Sequence, residues 1–301
     1  MKVLLDGAGT SIAAIEKQST LPARWEGTRS VVEFLQHNSA VEVRTSPNPW
    51  MTGDHTKTVT IDGEIAYAGG MNIAREYRYD WHDMMVEIRG PVVSNIEHDF
   101  AKAWAHAGIF GDIGYLAASA SRPERHFPEP SHYPVRLLIS TASDNEIYRV
   151  QKAAIQQSKQ RIYVQNPYFT DDALLAELLK ARQRGVDVRV IIPLVTDRGP
   201  ITRNNILAAN IMLAQGIRVY VYPRMSHVKA AVFDGWACFG SANWDRWSLS
   251  LNKELNLATS HAPAVDALVD RLFEPDFMLA EEIKEPLPER WSDSLLEFIG
   301  D

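Results

Sequence analysis

The stretch His227-Val-Lys229-Ala-Ala-Val-Phe-Asp234, closed by Gly240-Ser241-Ala-Asn243, has a second copy in the same chain. That copy reads His55-Thr-Lys57-Thr-Val-Thr-Ile-Asp62 and is closed by Gly69-Gly70-Met-Asn72. The spacing from His to Asp is the same in both, and the first copy has one extra residue before its Gly-x-x-Asn. A lone His-x-Lys recurs by chance. The whole pattern twice, each time on an alternating apolar run, implies a duplicated unit with half a site per copy. Each copy reads as strand, Asp-Gly turn, strand, and the two-residue period places its His and Lys on one face of the sheet.

The second half is the more regular. Strands at Val135 to Ile139, Ile162 to Gln165, Val186 to Ile192 and Ile217 to Tyr222 alternate with helices at Asn145 to Lys159, Asp171 to Arg184 and Asn204 to Gln215. Asp171 or Thr170 serves as an N-cap, and Gly185 and Gly216 as stops. This alternation predicts an α/β fold, with helices on both faces of a largely parallel sheet closed by the motif hairpin. In the first half, strands are expected at Met1 to Asp6, Val41 to Val43, Thr58 to Ala68 (a hairpin) and Met84 to Ile88. Helices are expected at Ser30 to His37 and Val92 to His106.

Between the halves, Pro123, Pro128, Pro130 and Pro134 stiffen the stretch from Ser121 to Pro134. The division is therefore a first domain of residues 1–122, a Pro-rich linker of 123–134 and a second domain of 135–301. Aligning the halves pairs Val186 to Pro193 with the opening strand and Ile217 to Tyr222 with Val41 to Arg44. The strands and helices of 135–184 then have no partner in the first half. The expectation is a first domain that lacks its beginning, with a bare sheet edge and a risk of being inactive for that reason.

With 46% hydrophobic and 23% charged residues, the chain of 301 residues is an ordinary globular one. Its net charge of −7 has the wrong sign for blanketing a nucleic-acid backbone. The single cysteine, Cys238, excludes an internal disulfide and reads as a small buried hydrophobe. No run reaches a membrane span's length, the best stretch, Gly108 to Ala120, being broken by Asp112 and glycines.

Two imidazoles, two ammoniums and two amides, from His55, Lys57, Asn72, His227, Lys229 and Asn243, suit a phosphodiester. One His attacks phosphorus, the other protonates the leaving oxygen, and the Lys and Asn donors, joined by Ser241, stabilise the non-bridging oxygens. This chemistry requires neither metal nor cofactor. A nucleophilic imidazole needs its other nitrogen fixed by an acceptor. Asp83 after His55 and Glu254 after His227, at nearly equal distances downstream, are expected to do this. Asp62 and Asp234 each open an Asp-Gly turn and are expected to brace the hairpins or the domain interface.

The two copies, His55/Lys57/Asp62 and His227/Lys229/Asp234 with their Gly-x-x-Asn closures, resemble the paired HKD motifs of the phospholipase D superfamily. Gly-Gly-Met-Asn-Ile followed by Trp81-His-Asp83 and Val86-Glu-Ile-Arg-Gly-Pro91 resembles bacterial cardiolipin synthases, as does Asn204-Asn205-Ile-Leu running into Ser226-His227-Val-Lys229. The resemblance covers essentially the whole chain. It implies two tandem α-β-α sandwich domains related by a pseudo-twofold, with the site at their interface. It also implies a covalent phosphatidyl-histidine intermediate, phosphatidylglycerol as donor and acceptor, and work at the plasma membrane. By that similarity His55 is the nucleophile, His227 the acid-base, and the aspartates of both motifs belong to the catalytic signature. A phospholipase D-type hydrolysis with water as acceptor is the alternative, and no nucleic-acid partner is expected. The chain departs from such synthases in lacking N-terminal membrane helices, and in Gly70 standing where the second copy has Ser241.

Other residues read more plainly. His37, His98, His106 and His132 have no counterpart in the other copy and read as surface or core histidines. Trp50, Trp81, Trp236, Trp244 and Trp247 fall near the motifs, where core packing accounts for most and a membrane-facing rim for the remainder. Arg75, Arg78 and Arg246 are candidates for a lipid phosphate or for solvated surface.

Overall fold

The computed structural model describes residues 1–13, 30–37, 39–47, 52–120, 133–196 and 199–288. The linker prolines Pro123, Pro128 and Pro130, together with Trp50 and His132, lie outside the described residues.

The first half begins with β1 (Lys2–Asp6), α1 (Gly7–Ala13), α2 (Val31–Gln36) and β2 (Glu42–Ser46). The first motif forms the hairpin β3 (Thr58–Ile61) and β4 (Ile65–Gly69), followed by α3 (Arg75–Tyr79), β5 (Met85–Arg89), α4 (Val92–His106) and α5 (Gly111–Ala120). The second half runs β6 (Val135–Ser140), α6 (Glu146–Gln157), β7 (Arg161–Gln165), α7 (Asp172–Gln183), β8 (Asp187–Pro193), α8 (Gly199–Ala214) and β9 (Arg218–Tyr222). The second motif hairpin is β10 (Ala230–Phe233) and β11 (Trp236–Gly240), then α9 (Arg246–Ser250), β12 (Glu254–Thr259), α10 (Ala262–Leu268), a π-helical turn Val269–Phe273, α11 (Glu274–Leu279) and β13 (Glu281–Glu282).

The local signals act as their chemistry dictates. The Asp171 carboxylate caps α7 by accepting the Leu174 N–H at 2.7 Å. Gly185 follows at φ +92°, a left-handed reversal that Gly adopts without strain. The second half forms one sheet in the order β13-β9-β8-β7-β10-β11-β12-β6. Buried α6, α7 and α8 side chains such as Ile155, Leu178 and Met212 cover one face. Val265, Phe273 and Phe277, from α10 through α11, cover the other.

The expectation of a largely parallel sheet is corrected. Only β7, β8 and β9 pair in parallel; β10, β11, β12 and β6 are antiparallel. The tight Asp234-Gly235 turn makes β10 and β11 antiparallel neighbours, and the hairpin docks with β10 beside β7, leaving β6 at the far edge beside β12.

Among the described residues the first half has two separate sheets where the second has one. β1 pairs with β2 in parallel, as β8 does with β9, and β3-β4-β5 repeats β10-β11-β12. Helix α4 lies against β2, β3, β4 and β5 and so spans both pieces. Its buried Val93 and Ile96 join Ala66, Ala68 and Ile88 in an apolar cluster with Leu255 and Leu257 of β12. That cluster holds the halves together beneath the motifs.

Candidate functional site

Two short parallel bridges cross the junction of the halves, and they match. Asp54 pairs with Lys253, and Ser226 pairs with His82. The His55 N–H donates to the Lys253 carbonyl at 2.9 Å, and the His227 N–H donates to the His82 carbonyl at 2.7 Å. Each bridge therefore sets a motif histidine beside the residue that follows its partner. Those residues are carboxylates: His55 Nδ1 lies 2.8 Å from Glu254 Oε1, and His227 Nδ1 lies 2.8 Å from Asp83 Oδ2.

Asp83 and Glu254 are thus where an orienting carboxylate is needed, but crosswise. Each histidine takes its acceptor from the opposite half, and not from the downstream residue of its own copy. Spacing along the chain cannot reveal this, because the exchange is a property of the docked interface. A carboxylate at Nδ1 keeps the proton there and leaves Nε2 basic and directed at substrate.

The glycines explain how the carboxylates approach. A Cβ at Gly69 would lie 2.2 Å from the Met84 carbonyl, and one at Gly240 would lie 2.3 Å from that of Leu255, so β4–β5 and β11–β12 pack backbone to backbone. A Cβ at Gly70 would meet Asp83 Oδ1 at 2.4 Å. Asp83 occupies the space a serine would fill, which accounts for the departure from Ser241. Ser241 itself donates its hydroxyl to Glu254 Oε2 and accepts the Leu255 N–H at 2.9 Å. Expected as a phosphate donor, it is engaged with the carboxylate that holds His55.

Lys57 donates to the His55 carbonyl at 2.6 Å. Lys229, 3% exposed, donates to the His227 carbonyl at 2.7 Å and lies 3.0 Å from His227 Nε2. Burial pushes the Lys57 ammonium down to about 8, against the pull of Glu254, Asp54 and Asp83. Burial likewise pushes Lys229 down to about 7, with Asp83 opposing and Lys57 assisting. Burial raises the Asp83 carboxyl to about 6 despite Lys229 and the Met84 N–H. Each lysine feels both carboxylates, so the copies form one electrostatic cluster.

The asparagines differ. Asn243 is buried and its Oδ1 has no hydrogen-bond partner. Asn72 is exposed and donates to the Tyr77 hydroxyl at 2.8 Å. Asp62 and Asp234 both sit at φ 52°, the left-handed turn position. Asp234 accepts the N–H groups of Lys159, Gln160 and Arg161, each at 2.9 Å. Burial would raise its carboxyl, but the amides of Arg161, Lys159 and Gln160 outweigh it and hold the group below the ordinary range. Asp234 ties its hairpin to β7; Asp62 is exposed.

Several neighbours were not singled out from the sequence. Lys253 spans Asp99 at 2.6 Å and Asp54 at 3.4 Å. His82 Nε2 meets Asp276 at 2.7 Å, and Gln165 donates to both Asp276 and Ser226. A basic residue directly before each carboxylate is the one signal that marks these clamps. Trp244 is core, packed on Phe169, whereas Trp81 adjoins His227 and Trp247 is half exposed. Arg75 pairs with Asp80 at 2.6 Å. Among the described residues no group of three His, Cys, Asp or Glu side chains could hold a metal ion.

A family model described as cardiolipin synthase, phospholipase D-like domain, matches residues 152–276. The chain is 32% identical over 236 residues to the cardiolipin synthase of Listeria monocytogenes serotype 4a (strain HCC23), covering 73% of this chain and 47% of that protein. It is 33% identical over 243 residues to cardiolipin synthase A of Pseudomonas syringae pv. syringae (strain B728a), covering 76% and 48%. The chain therefore spans about half the length of the curated relatives it matches. Among solved structures, phosphatidylserine synthase of Haemophilus influenzae Rd KW20 aligns with a TM-score of 0.64 at 12% identity, covering 86% of this chain and 70% of that one. That likeness is one of fold.

Proposed function

The chain belongs to the phospholipase D superfamily, and from that premise we propose that it is a phosphatidyltransferase of the cardiolipin synthase type, acting without metal on phosphatidylglycerol at a membrane surface. The observation that carries this reading is the crosswise pairing of each motif histidine with a carboxylate of the other half. It yields two imidazoles with defined tautomers beside two ammoniums, Lys229 buried and Lys57 half-buried, the set a two-step phosphoryl transfer uses.

In the first step His55 Nε2 attacks phosphorus as the bond from phosphorus to the glycerol oxygen breaks, and His227, entering as the imidazolium beside Asp83, passes its Nε2 proton to that oxygen. In the second, His227 takes a proton from the acceptor hydroxyl, whose oxygen bonds to phosphorus as the P–N bond to His55 breaks. Exposure supports this assignment of roles, since the His55 side chain is 30% exposed and that of His227 only 4%. A lipid substrate suits the surroundings. Ile73, directly after Asn72, is fully exposed, and Tyr79 and Trp247 stand 61% and 48% exposed on the short helices that follow the two asparagines. The net charge of −7 is the wrong sign for blanketing a nucleic-acid backbone. Among the described residues no helix is long and apolar enough to cross a membrane.

The test is to incubate the protein with phosphatidylglycerol vesicles and resolve the products. Cardiolipin and glycerol support transfer, phosphatidic acid alone would show hydrolysis, and cleavage of an oligonucleotide in place of lipid would refute the reading. His55→Ala and His227→Ala should each abolish turnover.

A further inference from the structure

The two motif histidines have unlike surroundings. His227 is walled by three aromatic rings: Tyr77 at 5.1 Å edge-on, Trp81 at 5.5 Å and Tyr168 at 6.3 Å. Two of these come from the first half, where Tyr77 and Trp81 lie edge to face at 4.7 Å. The Trp81 backbone N–H donates to the Glu76 carbonyl at 2.8 Å, and Asn72 donates to the Tyr77 hydroxyl. No ring contact of this kind surrounds His55 among the described residues, and its side chain is the more exposed.

We infer that the wall of Tyr77 and Trp81 chooses the nucleophile of the second step, favouring an alcohol with a hydrocarbon skeleton over water. The inference rests on the transfer reaction proposed above, in which His227 takes the proton of the attacking hydroxyl. Whichever molecule attacks must place its O–H at His227 Nε2, which Lys229 Nζ approaches at 3.0 Å, on an imidazole that these rings surround. A water molecule held there needs two to four polar partners, and ring faces are poor ones. The carbon atoms of a glycerol-type alcohol instead gain by covering ring faces, while one hydroxyl reaches the imidazole. Both routes balance in the same way. The incoming oxygen bonds to phosphorus, its proton passes to His227 Nε2, and the electron pair of the P–N bond returns to His55. Alcohol gives the phosphodiester; water gives phosphatidic acid.

Phosphatidylglycerol vesicles serve as the probe, with cardiolipin, phosphatidic acid and total lipid consumed all measured. Tyr77→Ala and Trp81→Leu should each lower the ratio of cardiolipin to phosphatidic acid about tenfold, equivalent to about 1.4 kcal/mol in the competition. Tyr77→Phe, which keeps the ring and loses the hydroxyl, should hold the ratio near that of the unmodified protein. Tyr77 and Trp81 are only half-buried, and thermal melts identify the variants that remain folded. An unchanged ratio in the folded variants, including equal loss of both products, overturns the inference and leaves the transfer reaction standing. Absence of any lipid product from the unmodified protein overturns the transfer reaction and the inference together.

Discussion

Replacing Lys229 by methionine should make the protein harder to unfold while removing its activity. The ammonium is 3% exposed and burial lowers its pKa from 10.5 to about 7. At about 1.4 kcal/mol per unit, keeping that charge inside costs at most about 5 kcal/mol at pH 7. Methionine fills similar volume without the charge. The variant forfeits the hydrogen bonds to the His227 carbonyl and ring and leaves Asp83 with less compensation, so we expect a net gain of about 2 kcal/mol. That corresponds to a rise in Tm of about 5 °C. The sign of the pH dependence follows from linkage. Between pH 7 and 10.5 the unfolded chain holds a proton on this lysine that the folded chain has lost, so stability of the unmodified protein rises with pH by up to about 1.4 kcal/mol per unit. Asp83, with its folded pKa raised to about 6, binds extra protons in the folded state only below that window. The advantage of Lys229→Met should therefore be largest near neutrality and shrink toward pH 9. Urea titrations at pH 7, 8 and 9 measure it, alongside turnover of phosphatidylglycerol. A methionine variant that is less stable at pH 7, or one whose advantage is flat across these pH values, refutes the reasoning.

Glu254→Gln should lower kcat by about 10²- to 10⁴-fold with little change in KM, because an amide no longer fixes His55 in the reactive tautomer; Asp83→Asn should do the same through His227. A profile of log(kcat/KM) against pH should fall below about 6 as Asp83 gains a proton, and above about 7 as Lys229 loses one, followed by Lys57 near 8. A profile flat from pH 5 to 9 contradicts that assignment. Asp234→Ala should destabilise by about 2 kcal/mol through loss of its three amide partners, whereas the exposed Asp62→Ala should cost about 0.5 kcal/mol beyond the backbone strain both share at φ 52°. Chemical denaturation of both variants measures the difference, and equal losses would show that the amide bonds to Asp234 add nothing.

Features carried by neighbours in sequence were readable from the chain. Both hairpins, the cap at Asp171 and the stop at Gly185 depend on a few adjacent residues, and α4 has the bounds its periodicity implies. Helix α5 was not legible. Its region is broken by Gly108, Gly111 and Gly114, and Ile109, Phe110, Ile113 and Leu116 all remain at least 66% exposed, so no buried stripe marks it. Helices α3 and α9 have five residues each, too short for a period of 3.6 to show. The doubled motif singles out residues that the structure gathers at the junction, but it does not give their pairing. Nothing in the interval from His55 to Asp83 says that Asp83 faces His227, because that contact arises only when β12 docks against β4 and α4. The wall around His227 has the same origin, since Tyr77 and Trp81 meet it from the opposite half. That the Ser241 hydroxyl engages Glu254 was likewise not visible, because the carboxylate lies thirteen residues on and meets it only across the β11–β12 pair.

The crosswise bridges also bear on how such a molecule fails. Asp54 with Lys253 and Ser226 with His82 are among the contacts that join the halves, and they are also the contacts that bring each imidazole to its carboxylate. Loosening the junction strips both histidines of their acceptors in a single event. Neither half can idle at partial capacity, and output depends on docking as a logical AND depends on its two inputs. Agents that wedge the interface apart should therefore extinguish both proposed chemical steps together.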